Sequence, residues 1–296
     1  MQAMILAAGL GTRLLPHTKL RPKPLFPVLN TPLLLLTIAR LKNFGFDHII
    51  VNCHHLRQQI VEAVSALDGV FCLEEDLILG TGGALKNALP YLYDEPLLVS
   101  NGDIYHSIDL KAFYNFHRQS GAGITMALHD CPRFNTVSVA EEKILGFRAE
   151  KTATCLAYTG LQVVNPEILE GLDSGVYTPL ISYYTGLLNQ DQVLACLRVD
   201  GCFWTDMGTP EDYLGLHAGL LQGTVPRWPE IPLAQRPFAL AEKSQIASSA
   251  DLEDWVCVGE AVIGRHSRLR RCVVWDDVCI GDGMDVCDQL VSTSLP

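Results

Sequence analysis

The chain is predicted to be an α/β protein built on a doubly wound, Rossmann-like, mostly parallel sheet, with a short left-handed β-helix at its C-terminal end. Three observations carry this. Residues 3–8, AMILAA, form an unbroken apolar run that stops at Gly9, as a strand buried on both faces does. Short apolar runs then alternate with segments of helical spacing, the pattern of right-handed βαβ crossovers. Beyond residue 255 the period changes to five or six residues, the mark of a hexapeptide repeat.

After the first strand a Gly- and Pro-rich loop leads to helical spacing over Leu33–Phe44, stopped by Gly45. A second strand is predicted at 48–53 and a helix at 56–67. Further strands follow at 97–100 and 124–128, with helices at 82–89 and 109–119. From 131 to 210 the pattern loosens into strand-like pieces at 135–139, 154–165 and 193–199, with helices at 178–189 and 210–222. Prolines at 226, 229, 232 and 237 break regular structure and mark a linker. The expected division is a main α/β domain over 1–222, a linker over 223–254 and a repeat segment over 255–296. In the last, Val258, Ile263, Leu269, Val274, Ile280 and Val286 recur at the hexapeptide interval, and Gly264 and Gly281 stand 17 residues apart. About two coils fit, too few for a catalytic surface, so a cap or oligomerisation element is expected. An unfinished coil leaves open strand edges, which favours a homo-oligomer.

Composition narrows the function. A net charge of −11, from 22 basic and 33 acidic residues, argues against bulk nucleic-acid binding. The ten cysteines show neither C-x-x-C spacing nor a zinc pattern, and read as reduced core thiols. No stretch is long and apolar enough to span a bilayer, and Met1 runs into the first strand without a charged leader. A cytoplasmic protein without a membrane partner is expected.

The chemistry is concentrated in residues 6–28, LAAGLGTRLLPHTKLRPKPLFPV. A buried strand delivers the chain to the sheet's carboxyl edge, where α/β ligands bind. Gly9 and Gly11 permit close backbone approach to a phosphate. Arg13 offers a planar fork for phosphate oxygens and Lys23 a point charge. From the residues alone this is a phosphate loop or a tight turn with surface cations. The segment resembles the signature of the sugar-1-phosphate nucleotidyltransferases, LAAGxGTRLxPxTxxxPKPLxPV, at every fixed position.

That resemblance implies an enzyme joining a nucleoside triphosphate to a sugar 1-phosphate with release of pyrophosphate. It implies that Leu6, Ala8, Gly9, Gly11, Thr12 and Arg13 bind the nucleotide and that Lys23 stabilises charge at the α-phosphate. Four later segments resemble parts of the same family. Glu75 with Gly80, Thr81 and Gly82 resembles the base-recognition loop, whose glycines would let backbone lie against a flat base. Asn101-Gly102-Asp103 and Asp206 in FWTDMGTP resemble its Mg²⁺-binding acids, Asn101 also facing the sugar. Glu150 and Lys151, with Gly160, resemble its sugar-phosphate contacts, although Thr152 replaces the usual proline. Arg13, Lys23, Asp103 and Asp206 are thus the expected catalytic residues, Asp103 and Asp206 the expected Mg²⁺ ligands.

The LGTGGALKNAL segment and the repeat tail resemble guanylyltransferases acting on mannose 1-phosphate or a manno-heptose 1-phosphate. The alternative is a uridylyltransferase acting on an amino-sugar phosphate such as N-acetylmuramate 1-phosphate. A non-catalytic regulatory relative would have lost Arg13, Lys23 or an aspartate, and a glycosyltransferase would show a D-x-D pair where Asp103 is followed by Ile104 and Tyr105.

Overall fold

The computed structural model describes residues 1–148 and 154–295. Contacts group them into two compact units: Met1–Gly9 with Ile38–Trp204, and Leu10–Thr37 with Thr205–Pro296. The expected domains followed the chain continuously. The contacts instead detach residues 10–37, most of the signature segment, and place them with the C-terminal part.

The first unit is a nine-stranded sheet. In chain order its strands are β1 (Gln2–Leu6), β2 (His48–Cys53), β3 (Val70–Glu74), β4 (Leu97–Asn101), β5 (Ile124–His129), β6 (Val137–Ala140), β7 (Lys143–Gly146), β8 (Thr154–Val164) and β9 (Leu194–Arg198). The order across the sheet is β3-β2-β1-β4-β8-β5-β9-β7-β6. The first four strands are parallel, as the alternating pattern predicts. Strand β8 then runs antiparallel to both β4 and β5, so the whole sheet is mixed rather than mostly parallel.

The helices of eight residues or more among the described residues are α1 (Leu33–Asn43), α2 (Arg57–Val64), α3 (Gly80–Ala88), α4 (Leu110–Ser120), α5 (Leu180–Leu188) and α6 (Pro210–Gln222). Asp109 caps α4 by accepting the Ala112 N–H at 2.9 Å, and Gly121 ends it at φ 67°. The first unit's core joins Met4, Ile50 and Val99 of the parallel strands to Met126, Val164 and Cys196. Ala84, Leu85 and Ala88 of α3 and Leu180 and Tyr184 of α5 belong to the same cluster.

In the second unit Thr209 caps α6, its hydroxyl accepting the Asp212 N–H at 3.2 Å, with Pro210 at the first helical position. After it come parallel ladders offset by about 17 residues. Gln245 pairs with Val262 and Val262 with Cys279; Asp251 pairs with Arg268 and Arg268 with Asp285. All six residues of the apolar period, Val258 through Val286, are at most 1% exposed. The ladders begin earlier than the expected boundary at 255, because Phe238–Leu240 already pairs with Val256–Val258.

Candidate active site

In the first unit the parallel strands bring several expected residues to one edge. Leu6, the last residue of β1, is in register with Asn52 of β2 and Asn101 of β4. Glu75 immediately follows β3. Polar residues at a strand's carboxyl end face the edge where ligands bind in open α/β sheets.

Asn52 ties this edge together, and sequence reasoning did not single it out. It is 2% exposed. Its side-chain oxygen accepts the Ala7 N–H at 2.9 Å, and its amide donates to Glu75 Oε1 at 2.8 Å. Glu75 is itself 3% exposed, and burial raises its carboxyl pKa, opposed by the Asn52 bond and by the Leu79 N–H. The one sequence signal for Asn52 is a lone amide closing the apolar run HIIVNC, since a buried amide needs partners.

The glycines expected to lie against a base have another use. Residues 80–82 form the first turn of α3, and the Gly82 N–H donates to the Thr178 carbonyl at 2.9 Å. A Cβ on Gly82 would stand 2.9 Å from that carbonyl, and one on Gly83 2.6 Å from the Val176 carbonyl. The missing side chains let the helix start close to residues 176–178. Thr81 is half-buried on the same turn.

Asp103 lies two residues beyond β4 and is half-buried; the Gly102 N–H before it donates to the Leu6 carbonyl at 2.9 Å. Gly160 adopts φ 83°, and a Cβ there would sit 2.6 Å from Asn101 Nδ2. Only glycine fits, and the absence of a side chain leaves room for the Asn101 amide. Glu150 and Lys151 lie outside the described residues.

The second unit gathers the expected cationic residues. Gly11 turns the chain at φ 62°, where an added Cβ would be 2.7 Å from Thr18 Cγ2. Thr12 and Arg13 follow on a short 3₁₀ turn and are exposed. Arg13 Nη2 is 3.3 Å from Asp206 Oδ2, while the Gly208 N–H donates to Asp206 Oδ1 at 3.0 Å. Lys23 is 6% exposed, and its ammonium donates to the Asp206 carbonyl at 2.9 Å. Arg13, Lys23 and Asp206, almost two hundred residues apart in the chain, therefore meet around one residue.

The donor chemistry fits Mg²⁺. Asp206 presents hard carboxylate oxygens with lone pairs beyond those used by Gly208 and Arg13. Among the described residues no cluster of three or more His, Cys, Asp or Glu could hold a metal. One or two carboxylates completed by phosphate and water oxygens is the usual way Mg²⁺ is held.

One unit is a Rossmann-like α/β sheet with polar and acidic residues at its strand ends, and the other gathers the glycine-cation segment around Asp206. The chain belongs to the nucleotidyl transferase family, whose model matches residues 2–223. Its relatives are enzymes that act on sugar 1-phosphates, and this chain is an enzyme of that type. It is 28% identical to a mannose-1-phosphate guanylyltransferase of Mycobacterium tuberculosis over 95% of this chain and 81% of that protein. It is 31% identical to an N-acetylmuramate alpha-1-phosphate uridylyltransferase of Neisseria meningitidis over 71% of this chain and 94% of that protein. The solved HddC from Yersinia pseudotuberculosis complexed with GMP-PN shares the fold. Its TM-score is 0.62 at 24% identity, covering 73% of this chain and 97% of that one.

Proposed function

We propose that the protein transfers a guanylyl group from GTP to mannose 1-phosphate or a manno-heptose 1-phosphate, releasing pyrophosphate. The observation that carries the choice of base is Glu75. Asn52 and the Leu79 N–H engage two of a carboxylate's roughly four acceptor sites. The others suit guanine's N1–H and exocyclic amine. The extended match to the mycobacterial guanylyltransferase, tail included, supports the same reading.

In this reading an oxygen of the sugar 1-phosphate attacks the α-phosphorus in line and pyrophosphate leaves. The second phosphate ionisation lies near pH 6, so the nucleophile is anionic at about pH 7 and needs no general base. Rate comes from positioning and charge neutralisation. Gly9, Gly11, Thr12 and Arg13 hold the triphosphate, and Lys23 faces the charge that grows on the α-phosphate. Leu6 and Ala8 supply backbone groups beside the base, with Gly80, Thr81 and Gly82 on its other side. Asn101, Glu150, Lys151 and Gly160 take the sugar phosphate. Asp103 and Asp206 would hold Mg²⁺, which supplies positive charge to the phosphate oxygens.

The Arg13–Asp206 pair has a part in this scheme. Asp206 would hold Mg²⁺ through the carboxylate that pairs with Arg13, and the Arg13 guanidinium would then be available to the phosphate oxygens. The 17-residue ladder is read as coils of a left-handed β-helix appended to a catalytic region over 1–222, in a cytoplasmic enzyme that pairs with a second copy.

A uridylyltransferase reading is favoured by the 31% identity to the Neisseria enzyme over nearly its whole length. A pyrophosphate-release screen of the five nucleoside triphosphates against a panel of sugar 1-phosphates decides between them. GTP should give the highest kcat/KM, and Glu75→Gln should erode its lead over UTP. A wild-type preference for UTP would reject the guanylyl assignment.

A further inference from the structure

The signature segment is anchored, residue after residue, on the C-terminal ladder. His17 Nδ1 lies 2.6 Å from Ser292 Oγ. The Arg21 guanidinium carbon stands 4.9 Å from the Trp275 ring centre, and its Nη2 is 3.5 Å from Asp276 Oδ2. Phe26 meets the same Trp275 ring edge-on at 4.7 Å. The Trp275 indole N–H donates to the Tyr213 hydroxyl at 3.3 Å, and that hydroxyl donates to the Pro27 carbonyl at 2.5 Å. Asn30 donates to the Val258 carbonyl at 2.9 Å and the Ala239 carbonyl at 3.3 Å, and its oxygen accepts from the Cys257 thiol.

These contacts bracket Lys23, with Arg21 on one side and Phe26 on the other. They also hold a turn that would not persist alone. Pro27–Val28 and Thr31–Pro32 form a two-residue hairpin whose corner residues, Leu29 and Asn30, have φ 46° and 68°. Such turns favour Asn-Gly, and a leucine in the left-handed region is strained. A strained backbone survives where its surroundings over-determine it. Here the determinants are Asn30 on the ladder strands and His217, whose Nε2 accepts the Leu29 N–H at 3.3 Å.

We infer that the C-terminal ladder is a positioning element of the triphosphate site, with Trp275 as its central positioning residue. The ladder sets the path of residues 17–30 and so the place of Lys23; it is more than a cap or a surface for a second subunit. The inference rests on the triphosphate role proposed for Arg13 and Lys23. It extends that role to a region too small to have a catalytic surface of its own.

The test uses the full-length protein and steady-state pyrophosphate release. Trp275→Ala should lower kcat/KM for the nucleoside triphosphate by about tenfold to a hundredfold, the range expected when catalytic groups shift by about 1 Å. KM for the sugar 1-phosphate should change by less than about twofold on the same reasoning. Trp275→Phe, which keeps a ring for Arg21 and Phe26, should recover most of the loss. Because Trp275 is 3% exposed, Trp275→Ala can fail to fold. The double variant Asp276→Asn/Ser292→Ala covers that case. The amide oxygen introduced by Asp276→Asn can still accept the bond that Asp276 Oδ1 takes from the Glu260 N–H at 2.9 Å, and neither position lies in the signature segment. The double variant should lower kcat/KM for the triphosphate about threefold to tenfold and raise amide exchange over residues 17–30. Unchanged triphosphate kinetics in the folded double variant would overturn the inference, as would equal losses toward both substrates. A wild-type protein with no turnover of any triphosphate and sugar 1-phosphate pair would instead sink the proposed function.

Discussion

Replacing Asp206 by Asn separates metal binding from structure more cleanly than any other single change. Asn can accept the Gly208 N–H bond made at 3.0 Å by Oδ1, so the turn before α6 is kept. The Lys23 ammonium bonds the backbone carbonyl of residue 206, not the side chain, and is also kept. What is lost is one negative charge and its pairing with Arg13. Arg13's side chain is 55% exposed, and an exposed ion pair of that kind contributes about 0.2–1 kcal/mol. Thermal unfolding should therefore shift by only a few degrees. Activity should respond far more: removing one preorganised electrostatic contact to the reacting phosphates costs about 10²–10³ in kcat, or about 3–4 kcal/mol. Pyrophosphate release at saturating substrates, repeated over a Mg²⁺ titration, reads this out. A folded Asp206→Asn protein with near-normal release at ordinary Mg²⁺ would refute the assignment of Asp206 as a metal ligand. An unfolded variant would refute the claim that its carboxylate charge is dispensable to the fold.

Asn52→Ala should destabilise the protein by about 2–4 kcal/mol, since it strands the buried Ala7 N–H and one bond of Glu75; chemical denaturation checks the loss, and a fall of under about 0.5 kcal/mol would contradict the brace. The same variant, if folded, should raise KM for the nucleoside triphosphate more than it lowers kcat. His217 is fully buried, and burial lowers its pKa from 6.5 to about 4, with hydrogen bonds to the Tyr213 and Pro27 backbone acting the other way. A depressed pKa means that the neutral ring's contribution is present above about pH 6.5 and is lost as pH falls toward 4, about 3 kcal/mol over that window. His217→Gln should flatten the corresponding part of the stability–pH curve, measured by urea unfolding between pH 7.5 and 4.5.

Much of the order of strands and helices was legible because the buried parallel strands are plain apolar runs and two helices carry both a capping residue and a glycine stop, Asp109 and Gly121 for α4 and Thr209 and Gly223 for α6. Strand β3 was missed: its sequence VFCLE is short, with only intermediate or exposed positions, so no alternation reports it. The antiparallel half of the sheet was likewise hidden, since strand direction depends on connections rather than on residue types. In the site, the signature segment was legible as a chemical list but not as an object held by the tail. Nothing in the spacing of Arg21, Phe26 or Asn30 names a tryptophan about 250 residues later, because side-chain partners at that separation leave no periodic trace. The glycines of residues 80–83 were read as a platform for a base; their neighbours, Val176 and Thr178, show that close helix packing requires them too.

The pairing of residues 17–30 with residues 257–292 also has a temporal meaning. Chains grow at about 5–20 residues per second, so roughly 13–50 s separate the synthesis of the hairpin at Leu29 from that of Ser292, its neighbourhood's last contributor. During this interval β1 can already join β2 and β4, while the segment that carries Lys23 waits without its supports. The final closure spans almost the entire chain, the kind of long-range contact that slows folding. Competence for catalysis should then appear well after the sheet itself has formed.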